Sequence, residues 1–185
     1  IVLTDRELSR TGNRLLGGIA RTNTQFCNLC QSDNDASGGD SMSPLMWTDS
    51  ETLMREGIGT ARDAFAEFLN VVGWDADDID KTVSHQVGRV HHKLLFEALD
   101  LNPQIDYGTL EFLGNTGSVA LPISASLGIE NGHLEKDDRL ALMGIGSGIN
   151  VLMLGVDWQT SLVSAQDSAG GHETDRESVS DAVGN

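Results

Sequence analysis

The sequence predicts an α/β fold in which helices cover a mixed sheet. Three observations predict it. Apolar residues recur in helical rhythm in some stretches and form short strand-like runs in others, and the two kinds alternate along the chain. Two apolar runs near the end, residues 139–145 and 150–157, are joined by only a tight glycine turn, so they pair antiparallel. Finally, 185 residues suffice for one domain with a real core.

The elements follow in order. Residues 1–4, Ile-Val-Leu-Thr, read as the end of a strand already under way, which places further sequence upstream. Residues 14–23 read as a strand in which Gly17-Gly18 marks a twist, a bulge or a close approach. Residues 30–43 are dense in turn formers and read as a loop. Met54, Ile58, Ala61, Phe65, Phe68, Leu69 and Val72 recur at steps of four and three, so they share one helix face; Asp49 or Ser50 caps its start and Gly73 follows its end. An acidic connector, residues 74–80, leads to a short buried strand at 81–84. A second helix opens directly from it, with Val87, Val90, Leu94, Leu95 and Ala98 on its apolar face and Asn102-Pro103 at its end. Residues 110–113 read as a brief extended piece. A third helix begins after Asn115 and ends near Asn131-Gly132, kinked at Pro122. The two closing strands complete the sheet. From Gln159 onward Ser, Gly, Asp and Glu dominate, so residues 159–185 read as a disordered acidic tail and 1–158 as the folded unit.

Composition narrows the function. Asp and Glu number 28 against 12 Lys and Arg, a formal charge of −16, which argues against duplex nucleic acid and anionic membrane surfaces as partners. No apolar run approaches the roughly 18 residues of a membrane-spanning helix. Residues 1–6 show no basic region followed by an apolar one, so no secretory leader is visible. Two cysteines make no disulfide framework. The expectation is a soluble protein of a reducing compartment, the cytoplasm.

Three segments carry chemistry. His85 sits where a strand hands over to a helix, the end of an open α/β sheet at which ligands bind; it reads as a proton carrier or hydrogen-bond donor, or else as a buried histidine satisfied by backbone. Asn115 lies in Gly114-Asn115-Thr116-Gly117-Ser118 at a helix start, where amides collect; it reads as an oxyanion donor or as a plain N-cap. Gly146-Ser147-Gly148 either lines a site or closes a tight hairpin, and with no Gly-Lys-Ser/Thr and no helix after it, it is not a phosphate loop. Other candidates are weaker. Cys27 and Cys30 have metal spacing without a second pair. His91 and His92 are adjacent on a helix and point apart, so they cannot chelate together. Asp75, Asp77, Asp78 and Asp80 lack the pattern of a calcium loop and read as caps or solvated charges.

The order of these segments resembles one family. Ser84-His85-Gln86-Val87-Gly88, then Gly114-Asn115-Thr116-Gly117-Ser118 with Pro122 beyond it, then Gly144-Ile145-Gly146-Ser147-Gly148-Ile149-Asn150 and Gly155-Val156-Asp157-Trp158, resemble the C-terminal half of a thiolase-superfamily condensing enzyme. Within the superfamily the sequence is similar to the β-ketoacyl-acyl-carrier-protein synthase III group, and most to olefin-pathway acyl-CoA condensing enzymes of the OleA type. The resemblance implies one half of a five-layer α-β-α-β-α sandwich, in a homodimer of lipid and fatty acid metabolism. It implies a Claisen condensation of acyl-CoA, with His85 and Asn115 as the catalytic pair and CoA thioesters as substrates, without a cofactor. It implies that Gly146, Ser147 and Gly148 line the acyl pocket. The nucleophilic cysteine belongs to a preceding half, together with a glutamate contributed across the dimer, and neither Cys27 nor Cys30 can replace it. Many carrier-dependent members place an Arg five positions after the His; here that position is Val90, with Arg89 beside it as the substrate-binding cation. The acidic composition disfavours an acidic carrier protein and favours acyl-CoA. The isolated chain is then expected to be inactive and to expose an apolar face. Two other readings stay open: a non-catalytic scaffold half, and a related acyltransferase such as hydroxymethylglutaryl-CoA synthase.

Overall fold

The computed structural model describes residues 2–33 and 45–163. In chain order these form β1 (Arg14–Thr22), β2 (Cys30–Asp33), β3 (Leu45–Thr48), α1 (Ser50–Val72), β4 (Lys81–Ser84), α2 (Arg89–Leu99), α3 (Leu110–Leu113), α4 (Ala120–Glu130), β5 (Arg139–Gly146) and β6 (Asn150–Asp157), with short 3-10 turns between several of them. The main sheet has the order β1-β6-β5-β4. β6 is antiparallel to both β1 and β5, while β4 runs parallel to β5, so the sheet is mixed as expected. β2 and β3 form a separate antiparallel pair.

Period-two alternation gives the sheet two apolar faces. Ala141 and Met143 of β5, with Val151 and Met153 of β6, pack against Ala61, Ala64, Phe65 and Phe68 of α1 and Leu95, Phe96 and Leu99 of α2. Leu140 and Leu142 point the other way and pack with Val83 of β4, Ala125 of α4 and the flanking Tyr107, Leu121 and Trp158. Three layers result, with α1 and α2 on one face and α4 on the other. Phe68 is fully buried, which stabilises by about 1.5–3 kcal/mol. α1 begins and ends as its sequence predicts. The Asp49 carboxylate accepts from the Thr52 amide at 3.1 Å, and Gly73, at φ 71°, donates its amide to the Leu69 carbonyl at 2.9 Å. In β1 the register shifts between Leu15 and Gly17, the bulge that the glycine pair announced. A Cβ on Gly18 would lie 2.4 Å from the Met153 carbonyl oxygen and 2.5 Å from Leu154 Cδ2, so this strand crossing admits no side chain there.

Several expectations change. Residues 2–4 are not a strand; Val2 and Leu3 are exposed and no neighbour pairs with them among the described residues. The expected loop at 30–43 begins as β2, because Cys30 to Asp33 find a partner strand in β3; residues 34–43 lie outside the described residues. α2 does not open at His85 but at Arg89, after a four-residue coil. Its buried face is His91, Leu95, Phe96 and Leu99, while Val87, Val90 and Leu94 point outward. The helix carries apolar residues on two sides, and the side with Phe96 and Leu99 fills the space over the sheet. Residues 110–113 are a helical turn, because the Thr109 carbonyl accepts from the Phe112 and Leu113 amides. α4 runs through Pro122, which lies in the first turn, where the missing amide would be unpaired in any case. At the start of the expected tail, the Asn13 carboxamide oxygen accepts from the Gln159 and Thr160 amides; residues 164–185 lie outside the described residues.

Candidate active site

β4 has only four residues, and Thr82, Val83 and Ser84 are all buried. Its carboxyl end delivers His85, whose amide donates to the Met143 carbonyl at 2.9 Å and so extends the parallel ladder by one residue. The half-buried imidazole lies in a narrow crevice with Ala61, Leu95, Met143, Gly144, Ile145, Val151 and Met153. This lining is apolar. Burial therefore holds His85 below the ordinary imidazole range, and the ring is neutral at pH 7. Among the described residues neither ring nitrogen has a hydrogen-bond partner, so the ring is left free to donate or accept. His91 is 7% exposed and is pushed down to about 4, first by burial and then by the charges His85 and His92 would carry beside it. His92 points elsewhere, stacked on Phe96 at 4.3 Å, which bears out the expectation that the adjacent pair points apart. A larger surface groove runs past His92, Lys93, Glu97 and Asp100 and shares no residue with the His85 crevice.

The Asn115 turn is built by α3. Gly114 ends that helix at φ 67°, and Asn115 follows, exposed. The Asn115 Oδ1 accepts from the Gly117 amide at 3.0 Å, which folds the turn and commits the oxygen. The Nδ2 has no partner among the described residues and stays available as a neutral donor. Beside it, Thr116 Oγ1 is buried with no hydrogen-bond partner.

Two polar anchors that periodicity could not reveal hold these segments. The Asp106 carboxylate, 1% exposed, accepts from Thr82 Oγ1 at 2.8 Å, the Ser84 amide at 3.0 Å and Ser84 Oγ at 2.7 Å, and meets His92 Nε2 at 2.9 Å. Asp106 thus pins the end of β4 immediately before His85. Gln86, 5% exposed, donates from Nε2 to the Ser84 carbonyl at 2.8 Å, and its Oε1 accepts from the Thr109 and Leu110 amides, each at 3.2 Å. No hydrogen bond joins His85 to Asn115; their segments are tied through Gln86. The sequence flagged Gln86 only as part of the Ser-His-Gln motif, and Asp106 stands in a loop without any apolar pattern.

The remaining candidates are placed as follows. Gly146 and Ser147 are exposed and Gly148 is half-buried in the β5–β6 turn; the neighbouring Gly144 and Ile145 line the His85 crevice instead. Arg89 stands exposed on the first turn of α2 and pairs with Glu111 of α3. Cys27 and Cys30 are free thiols, and among the described residues no cluster of His, Cys, Asp or Glu could hold a metal. Asp78 accepts from the Asp75 amide and pairs with Arg139, and Asp80 accepts from the Arg139 amide, so these carboxylates serve the local fold. No helix among the described residues is long and apolar enough to cross a membrane.

Residues 69–158 match the family described as 3-oxoacyl-[acyl-carrier-protein] synthase III, C terminal. The acyl-CoA:acyl-CoA alkyltransferase of Shewanella oneidensis is 35% identical over 161 residues, covering 85% of this chain and 46% of that protein. Its counterpart in Xanthomonas campestris is 34% identical over 158 residues, covering 85% of this chain and 44% of that protein. The chain thus spans about half the length of the relatives it matches. A crystal structure of a cysteine-to-serine variant of Xanthomonas campestris OleA, with bound lauric acid and lauroyl-CoA, superposes with a TM-score of 0.73 at 35% identity, covering 83% of this chain and 43% of that one. The fold and these likenesses agree with the motifs around His85, Asn115 and the β5–β6 turn: residues 69–158 carry the C-terminal region of the 3-oxoacyl-[acyl-carrier-protein] synthase III family, and over most of its length the chain is similar to the C-terminal half of thiolase-superfamily proteins of the OleA type.

Proposed function

We propose that this chain supplies the imidazole and carboxamide donors of an acyl-CoA condensing enzyme whose nucleophilic cysteine lies in a preceding half. One observation carries the reading. In a chain with these likenesses, the neutral and unpartnered His85 ring lies in a crevice at the carboxyl end of β4. The cysteine takes an acyl group from one thioester. The His85 ring N–H and the Asn115 Nδ2 then donate to the second thioester oxygen, where negative charge develops as its α-carbon gives a proton to the glutamate of the preceding half. The α-carbon of this enolate attacks the acyl carbonyl, the carbon–sulfur bond to the cysteine breaks, and the cysteine leaves as a thiolate. Neutral donors suit this step, because they stabilise an enolate without delivering a proton to it. Arg89, exposed at the start of α2, is assigned to the CoA phosphates, for which it would exchange its pairing with Glu111. The charge of −16 supports acyl-CoA over an acidic carrier protein. Exposed Val87, Val90, Phe112, Leu113 and Val119 support a covered face, which the preceding half and a homodimer would bury. Alone, the chain would then not turn over. The role belongs to soluble lipid metabolism in the cytoplasm.

The test is co-expression with a nucleophile-bearing N-terminal half and measurement of acyl-CoA condensation. Loss of one such donor costs about 2.7–4 kcal/mol, so His85→Ala is expected to lower kcat by about 10²–10³-fold. Condensation by His85→Ala at the parent rate removes His85 from the mechanism.

A further inference from the structure

We infer that Gln86 is a positioning residue that fixes the His85 turn and the Asn115 turn relative to each other. The inference rests on the proposed roles of His85 and Asn115. The coil between β4 and α2 is four residues long, and the α2 N-cap, Gly88, has no side chain to hold it. One side of the coil is tied by the bond from the His85 amide to Met143. The other side is tied by the buried Gln86 carboxamide. Its Nε2 grips the strand end at the Ser84 carbonyl, and its Oε1 takes the amides of Thr109 and Leu110, which open α3. These amides are orphan donors of a helix start, so the carboxamide acts as a cap supplied from another element. α3 is a single turn ending at Gly114, whose amide donates to the Leu110 carbonyl at 3.0 Å, and Asn115 comes next. Thr109 is in turn fixed to α4, with its Oγ1 2.6 Å from Ser124 Oγ; both residues are buried. A single carboxamide therefore lies between the two donors of the proposed reaction, and only one rigid helical turn separates it from Asn115.

Gln86→Met keeps the length and apolar bulk and deletes all three bonds. Gln86→Glu keeps the acceptors but sets a carboxylate against the Ser84 carbonyl, a clash that protonation relieves, since the acid then donates as the amide did. Amide exchange and the Asn115 side-chain NH₂ resonances are read on the chain itself. Gln86→Met is expected to shift the Asn115 resonances and to speed exchange at Thr109 and Leu110, while Gln104→Met, at an exposed glutamine, moves neither. Gln86→Glu is expected to return toward the parent spectrum as pH falls. In the co-expressed enzyme, Gln86→Met is expected to lower the condensation kcat by about 100-fold, as a misplacement near 1 Å does, with KM little changed. Unshifted Asn115 resonances in Gln86→Met overturn the inference. So does an unchanged kcat where His85→Ala is slow. Should His85→Ala itself condense at the parent rate, the functional reading fails, while the spectra still decide whether Gln86 ties the two turns.

Discussion

Asp106→Ala tests how the end of β4 is held. The carboxylate accepts from Thr82 Oγ1, the Ser84 amide and Ser84 Oγ, and Thr82 and Ser84 are 0% and 1% exposed. Truncation strands all three donors away from water. Each buried, unsatisfied donor costs about 1–3 kcal/mol, so the loss is expected to be at least about 3 kcal/mol. His92 is a third exposed and can turn to solvent, so it adds little. Asp106→Asn is a milder change. Its oxygen can still accept from Thr82 and the Ser84 amide, and its NH₂ can donate to Ser84 Oγ, so the cost is expected to be about 1–2 kcal/mol for weaker, uncharged bonds. Urea unfolding followed by circular dichroism at pH 7 measures both. At a slope of about 1–3 kcal/mol per molar, the alanine variant is expected to lose at least about 1 M in midpoint. An alanine variant within about 1 kcal/mol of the parent refutes the reasoning, because three orphaned donors cannot cost so little. An asparagine variant as damaged as alanine would show instead that the charge itself is what holds the strand.

Two further predictions concern stability. His91 titrates near 4 in the fold against an ordinary value of 6.5, so the unfolded chain binds the proton first; stability is full above about 6.5 and falls as pH drops toward 4, by roughly 3 kcal/mol. His91→Leu is expected to flatten that decline in denaturant midpoints taken across the window, and an equally steep slope in the variant would remove His91 as its source. Gly18→Ala forces a Cβ onto the Met153 carbonyl and is expected to destabilise by about 1–3 kcal/mol, whereas Gly59→Ala, on α1 with nothing within 4 Å, is expected to stabilise by up to about 1 kcal/mol. Melting temperatures that move the same way in both variants would contradict the packing described for β1 and β6.

The elements legible in the sequence were those written in apolar rhythm or local capping. α1 announces itself through Asp49, its stripe from Ala61 to Phe68, and Gly73, and the closing hairpin through two apolar runs about a glycine turn. Where apolar residues occur on two sides, rhythm cannot choose. In α2 the rhythm groups Leu95 with Val87, Val90, Leu94 and Ala98, whereas the space over the sheet takes Leu95 together with His91, Phe96 and Leu99. β2 is polar in sequence and is a strand because β3 pairs with it, a fact of distant chain. The motif residues His85 and Asn115 were visible by their type at element ends. The bonds that Gln86 and Asp106 make were not, because their partners lie on other segments and no local pattern encodes a partner.

The two borders of the main sheet differ in kind. Beside β4 the chain itself lies along the margin: Tyr107 donates its amide to the Thr82 carbonyl at 3.1 Å, and Asp106 bridges to Thr82. No strand flanks the far side of β1 among the described residues, so intermolecular sheet growth would have to begin at that margin. Arg14 and Arg21 project from β1, Arg21 beside Asp63 and Glu67. A newcomer strand would have to desolvate or displace these guanidinium groups, which makes them gatekeepers against fibrillar stacking.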